Sequence, residues 1–385
     1  MQNVGQASTS EGDVINNPAV RLVDSVIREA IPYRASDIHI EPQPDKLRIR
    51  FRIDGKMVVY LDTEAELSPS VSSRIKFIAG LNIAERRVPQ DGRINMNIGG
   101  KEYDFRVSSL PTVFGEKFVI RILDKTSFQF TRADLGFTDE ENVVVDKMLS
   151  RPHGIILLTG PTGCGKSTTL YSFLKEVNDP TVNIVTVEDP VEFTMPGINQ
   201  TQVNAKANMT FAAALRSILR QDPDIIMIGE IRDEETADIA VRSAITGHIV
   251  FSTLHTNDAP GAINRLVDMG VEDYLVADAL VGVIAQRLVK RLCPACKKKG
   301  RTNTKEMEIL GITEPITIAR PQGCQFCNHT GYKGRVAVHE IMYMNEKMKT
   351  AVLKEKSLDS LRKLSIENGM TPLWNSCRNL VTKGV

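Results

Sequence analysis

The stretch GIILLTGPTGCGKSTTLYSFLKEV, residues 154–177, decides the fold. It opens with an apolar run between two glycines, as in a strand buried on both faces of a parallel sheet. It closes, over 166–177, with the spacing of a helix. Between them lies GPTGCGKS, residues 160–167, which fits the phosphate-loop pattern G-x-x-x-x-G-K-[ST] in the strand–turn–helix context that pattern requires. The chemistry explains the spacing. Gly160, Gly163 and Gly165 let backbone N–H groups turn inward around phosphate oxygens. The helix N-terminus adds the positive end of its dipole. Thr162, Cys164 and Thr168 complete the candidate contact set. Lys166 is placed to reach the β- and γ-phosphates, and the Ser167 hydroxyl to ligate Mg²⁺. ATP and Mg²⁺ are therefore the expected ligands. Cys164 reads as a small residue that fits the loop; a redox-sensing role finds no supporting residue nearby in the sequence.

Further along, apolar strands at 183–189, 224–230 and 248–255 alternate with helical stretches at 210–220, 233–246 and 258–269. That alternation predicts a parallel α/β sheet. Ligands of such sheets bind outside the carboxyl ends of the strands. The second strand delivers Glu188, Asp189 and, shortly after, Glu192. The third, in DPDIIMIGEIRD (222–233), has Gly229 where ATPases often place a Mg²⁺-holding Asp, and Glu230 follows. The fourth ends in His255. Hydrolysis needs a base or water-positioning group, a metal anchor and a γ-phosphate sensor. Glu188 and Glu230 are the two candidate acids and His255 the candidate phosphate contact. His248, at the start of the fourth strand, reads equally as a structural histidine.

The first half has a different grammar. Residues 17–35 have helical spacing, then SDIHIEP, KLRIRFRIDG and MVVYLD alternate as half-exposed strands. Residues 68–82 read as a helix with Ser68 as cap and Pro69 at the first position. RINMNIGGKEYDFRV reads as a hairpin turning at Gly99-Gly100. Arg48, Arg50 and Arg52 share one strand face, which is either a solvated face or a surface for an acidic partner. The expected layout is a disordered lead-in at 1–16, an α+β domain at 17–123, a linker at 124–138, an ATPase domain at 139–290, a cysteine-bearing subdomain at 291–335 and a helical region at 336–385.

Composition excludes several classes. The chain is 42% hydrophobic and 25% charged with a net charge of +1, and aromatics make up 5%, so a basic, aromatic-lined nucleic-acid channel finds no support. No apolar run reaches the roughly 18 residues of a membrane helix, and the first residues have no apolar core of a signal peptide. Of the six cysteines, four form Cys293-x-x-Cys296 and Cys324-x-x-Cys327 with 27 residues between the pairs. In a chain with no export signal this spacing favours a closed, structural four-thiolate Zn²⁺ over disulfides. The alternative is free thiols, and His329 is a minor alternative ligand.

Taken together, GPTGCGKSTTLY, TVEDPVEF, LRQDPDIIMIGEIRDEETADIA and TGHIVFSTLHTNDAP resemble the four signature boxes of the secretion ATPases, the hexameric motors of type II secretion and type IV pilus assembly. The likeness runs from about residue 17 to the end. It implies a RecA-like P-loop core preceded by an α+β (PAS-like) domain. By this resemblance Glu188 activates water, Glu230 supports Mg²⁺ through water, and His255 senses nucleotide. Arg106 and Arg121 match the family's arginines that reach the phosphates from the first domain, with Arg86, Arg87 and Arg93 as weaker candidates. The resemblance further implies a homo-hexamer at the cytoplasmic face of the inner membrane, acting on a membrane platform protein, with no direct nucleic-acid partner. The cysteine insertion marks assembly and secretion members rather than retraction motors; the short N-terminal region and GINQTQVN (197–204) favour pilus assembly, with a type II secretion or competence pseudopilus ATPase as the alternative. Relatives often carry a further N-terminal docking domain, so a chain that begins here is expected to be a short or truncated member.

Overall fold

In a computed structural model, residues 17–124, 130–354 and 357–385 are described, and they divide into two compact units, 1–128 and 129–385. The expected lead-in at 1–16 lies outside the described residues, as does much of the first half of the expected linker.

The first unit contains α1 (Pro18–Ala30), β1 (Ala35–Pro42), β2 (Lys46–Ile53), β3 (Lys56–Glu64), α2 (Ser68–Ile78), β4 (Gln90–Ile98), β5 (Lys101–Thr112) and β6 (Gly115–Asp124). Asn17 starts α1 by accepting the Ala19 N–H at 2.9 Å, with Pro18 in the first turn, where its missing N–H costs nothing. The strands pair antiparallel in the order β3-β2-β1-β6-β5-β4. Alternation puts Ile38, Ile40, Ile49, Phe51, Phe105 and Ile120 on one face, buried against Val23 and Ile27 of α1 and Val71 and Ile75 of α2. The other face is charged. The β4–β5 hairpin turns at Gly99 and Gly100, both at positive φ as a two-residue turn demands. One expectation fails here. Leu67, not Ser68, caps α2; Ser68 is already helical and no side chain caps the helix.

The second unit contains α3 (Asp139–Leu149), β7 (Gly154–Thr159), α4 (Lys166–Val177), β8 (Ile184–Glu188), β9 (Asn199–Gln202), α5 (Phe211–Ile218), β10 (Ile225–Ile228), α6 (Glu234–Ile245), β11 (Ile249–Leu254), α7 (Gly261–Asp268), α8 (Asp273–Ala279), β12 (Leu280–Leu292), β13 (Lys298–Arg301), α9 (Thr304–Leu310), β14 (Thr317–Arg320), β15 (Tyr332–Tyr343), α10 (Glu346–Lys354), α11 (Leu358–Glu367) and α12 (Leu373–Lys383). Its sheet runs β15-β12-β7-β11-β10-β8-β9, parallel except for β15. Both faces are covered. Ile155, Leu157, Val187 and Ile226 pack beneath Leu215, Ala240 and Leu266, and Ile156, Leu158, Met227 and Phe251 pack against Val145, Leu170 and Phe173. That double burial is why the strands read as unbroken apolar runs.

The four central strands expected from sequence are present, and β9, β12 and β15 extend them. Two expected boundaries need correction. The helical region 336–385 begins in a strand, because β15 pairs with β12 from Leu292↔Tyr332 to Gly282↔Tyr343. The end of the linker is not a free connector: Leu135 and Phe137 are buried in the second unit's core, and Thr138 caps α3 in a reciprocal pair with Glu141.

Candidate functional site: a phosphate loop, its acids and a four-cysteine cluster

The phosphate loop leaves β7 at Gly160 and enters α4 at Lys166. Gly160, Gly163 and Gly165 take φ of 146°, 78° and 92°. A side chain is excluded at Gly160, where an added Cβ would meet the Gln286 carbonyl oxygen at 2.5 Å and the Cys164 sulfur at 2.7 Å. Lys166 is buried and donates to the Gly160 carbonyl at 2.8 Å. Burial pulls its ammonium below the usual lysine range, against the opposing pull of the Glu230 charge. Ser167, at the start of α4, is exposed, and Thr168 half-buried. The Cys164 thiol is buried, and that burial pushes it up, away from the reactive thiolate.

Glu230 lies just beyond β10, partly exposed, with Arg232 Nη2 at 2.5 Å and His255 Nε2 at 3.6 Å. Burial and then the Lys166 charge hold His255 below the ordinary histidine range. Lys166, Glu230 and His255 thus share one electrostatic neighbourhood at the carboxyl edge of the sheet. An added Cβ at Gly229 would meet the Glu188 Cα and the Val187 carbonyl oxygen at 3.4 Å, so the backbone there does not exclude a side chain's first carbon.

Glu188 is placed differently. It is 4% exposed. Its Oε1 accepts from the Thr186 hydroxyl at 2.6 Å and from Gln200 Nε2 at 3.1 Å, and its Oε2 accepts from the Tyr171 hydroxyl of α4. Burial, and secondly the Glu188 charge, drive the Tyr171 phenol far above its normal range, so it stays a donor. An ionised carboxylate has about four lone-pair sites, so Glu188 keeps one. Glu192, four residues on, is half-buried, and its N–H approaches the Tyr171 oxygen at 3.4 Å. The His248 Nδ1 meets the Ser243 carbonyl oxygen at 2.9 Å, a partner consistent with the structural reading.

In the first unit the register lines up Arg93, Arg106 and Arg121 directly across β4, β5 and β6, then Asp37 and Arg52 across β1 and β2. Arg121 donates to Asp37 at 3.0 Å, and Arg52 approaches the same carboxylate at 3.7 Å. Like charges directly opposite one another destabilise a sheet, so this row is a functional candidate. Arg48 and Arg50 instead pair with Asp62 and Glu41 of their own sheet, and Arg87 with Glu85.

The cysteines converge. Cys293 follows β12, Cys324 and Cys327 precede β15, and all four sulfurs lie within 4.8 Å of one another. Neighbouring sulfurs are 3.9 Å (Cys293–Cys324), 3.8 Å (Cys296–Cys327) and 3.8 Å (Cys324–Cys327) apart. A ZnS₄ tetrahedron with Zn–S of about 2.3 Å has edges of about 3.8 Å, so the donor set fits zinc. Backbone N–H groups of Gly323, Cys324 and Gly331 point at the sulfurs from 3.2 to 3.3 Å, as thiolates favour. His329 is not in the cluster; its backbone N–H serves the Cys324 carbonyl.

Residues 13–385 match the family described as "Type II/IV secretion system protein". The chain belongs to that family. It is 48% identical over 370 residues to the type II secretion system protein E of Pseudomonas aeruginosa, covering 96% of this chain and 74% of that one. It is also 48% identical over 379 residues to the type IV pilus assembly ATPase PilB of Myxococcus xanthus, covering 97% and 66%. Its fold is similar to the crystal structure of the pilus retraction motor PilT with bound ADP, at a TM-score of 0.65 and 26% identity over 94% of this chain and 93% of that one. The family is one of ATP-hydrolysing enzymes, and its P-loop core carries the site described above.

Three site residues escaped the sequence reading. Tyr171 and Gln200 hold Glu188 from a helix and an edge strand. Gln286, on β12, contacts the phosphate loop from more than 100 positions away. Tyr171 closes the quoted stretch GPTGCGKSTTLY but carries no assigned role there, and Gln200 and Gln286 lie outside the four signature boxes. For Gln286, the signal present was a polar residue inside the apolar run LVGVIAQRLV.

Proposed function

We propose that this chain is the motor ATPase of a type IV pilus assembly machine, working as a homo-hexamer at the cytoplasmic face of the inner membrane and driving pilin polymerisation through a platform protein. The observation that carries the reading is a phosphate loop with a buried lysine at the end of β7, and the Glu230–His255 pair, 3.6 Å apart, at the ends of β10 and β11 of the same parallel sheet. In the proposed chemistry, loop N–H groups and Lys166 bind the phosphates of ATP. Ser167 and Glu230 hold Mg²⁺, the latter through water. Glu188 activates the attacking water from a carboxylate oriented by three donors, and His255 senses the γ-phosphate. Arg106 and Arg121 neutralise charge developing on the phosphates. The four-cysteine module supports assembly over retraction.

Two alternatives have an observation behind them. The match to a type II secretion protein E is as strong as that to PilB, so complementation of a piliation defect against a secretion defect decides the system. The three donors on Glu188 favour Glu192 as a second candidate for the water contact. Glu188→Gln should keep ATP binding and cut turnover by about 10²–10⁴-fold. Unchanged turnover in Glu188→Gln with loss in Glu192→Gln would transfer the role. ATPase activity stimulated by DNA would instead favour a nucleic-acid translocase.

A further inference from the structure

Gln286 is 1% exposed and spends one end of its amide on the phosphate loop and the other on the first turn of α4. Its Nε2 donates to the Cys164 carbonyl at 2.8 Å, and its Oε1 accepts from the Thr169 hydroxyl at 2.8 Å. β12 lies beside β7, with Ala285 opposite Thr159, the last residue before the loop. The next residue, Arg287, donates to the Asn257 carbonyl at 2.7 Å and so ties the same strand to the loop that follows His255.

A trans peptide points its C=O and the following N–H in opposite directions. Holding the Cys164 carbonyl on Gln286 therefore turns the Gly165 N–H away from Gln286. The chain itself makes no such choice. Gly165 sits at φ 92°, and glycine takes either sign of φ with similar ease. The fit is close: an added Cβ at Gly165 would meet Gln286 Nε2 at 2.9 Å.

We propose that Gln286 is a positioning residue of the nucleotide site, which sets the 164–165 peptide so that the loop is ready for phosphate before nucleotide arrives. The inference rests on the reading of this loop as the nucleotide site. Preorganisation of this kind shows in binding rather than in the chemical step.

The test measures Mg·ADP affinity by calorimetry, and kcat at saturating ATP, on the whole chain. Gln286→Leu keeps bulk and burial but loses both hydrogen bonds. It should weaken Mg·ADP binding by about ten-fold or more, with kcat within about two-fold. Thr169→Val should weaken binding several-fold. Gln286→Glu adds a signature that a packing role would not: an ionised carboxylate cannot donate to the Cys164 carbonyl, whereas the protonated acid can donate and accept as the amide does. Its affinity, relative to the native chain, should be poor at neutral pH and recover as pH falls. Unchanged affinity in a folded Gln286→Leu, or no recovery in Gln286→Glu, overturns the proposal. If Gln286→Leu does not fold, Thr169→Val and Gln286→Glu decide. Lys166→Ala separates the levels. Undiminished Mg·ADP binding there sinks the nucleotide-site reading itself; loss there with none in Gln286→Leu sinks only the positioning role.

Discussion

Removing metal from the cysteine cluster should unfold the segment between β12 and β15 and leave the sheet standing. Between Cys293 and Cys327 the buried aliphatic side chains are Leu310 and Ile318. Two such side chains contribute about 3–6 kcal/mol. A structural four-thiolate zinc contributes about 10–16 kcal/mol, apparent, so a bound zinc would stabilise this segment more than its apolar packing does. The sulfur spacing of 3.8–3.9 Å sets the expected bond length at about 2.3 Å. Metal analysis should find one zinc per chain, and X-ray absorption should find four sulfur neighbours at that distance. Thiol titration of the native protein should leave only Cys164 and Cys377 outside the metal, if the other four of the six cysteines hold it as proposed. On chelation, amide exchange should rise sharply across 293–331, while β7, β10 and β11 stay protected. Substoichiometric metal after growth with zinc, oxygen or nitrogen neighbours in the absorption spectrum, or exchange unmoved by chelation would each refute the reasoning.

Other consequences follow from the acids and arginines. Tyr171→Phe deletes one donor to a buried carboxylate, a loss of about 1–3 kcal/mol. It should lower the nucleotide-free melting temperature by about 2–4 °C per kcal/mol, and an unmoved melting curve would show that Glu188 does not need this bond. His255 is held below its ordinary value, so the unfolded chain binds the proton more readily than the folded one. Its contribution to stability is complete above pH 6.5 and is lost as pH falls through the lowered value, and His255→Gln should flatten denaturant midpoints across that range. Arg106→Ala and Arg121→Ala should each cut ATP turnover by about 10³-fold or more if they neutralise phosphate charge; steady-state assays showing native rates would remove them from the site. Glu230→Gln should raise the Mg²⁺ concentration needed for half-maximal turnover, which a metal titration reads directly.

The local pattern of this sequence was enough to place β7, β8, β10 and β11 and the helices between them. Strands buried on both faces must be continuously apolar, and a phosphate loop needs glycine and lysine at fixed spacing. The hairpin at Gly99-Gly100 and the cysteine pairs were legible for the same reason: the chemistry is written in neighbouring residues. The tertiary structure decided everything that depends on residues distant in the chain. β15 reads as the start of a helical tail until β12 supplies its hydrogen-bond partner. The arginine row exists only through the register of β4, β5 and β6, which sequence spacing does not reveal. Glu188 and Glu230 look alike as acids at strand ends. Packing buries one beneath Tyr171, Thr186 and Gln200 and leaves the other beside Arg232 and His255, because adjacent strands deliver their ends into different surroundings. Gln286 makes the same point at the phosphate loop: the motif specifies which residues can cradle a phosphate, and a side chain from the next strand sets which way one of their peptides faces.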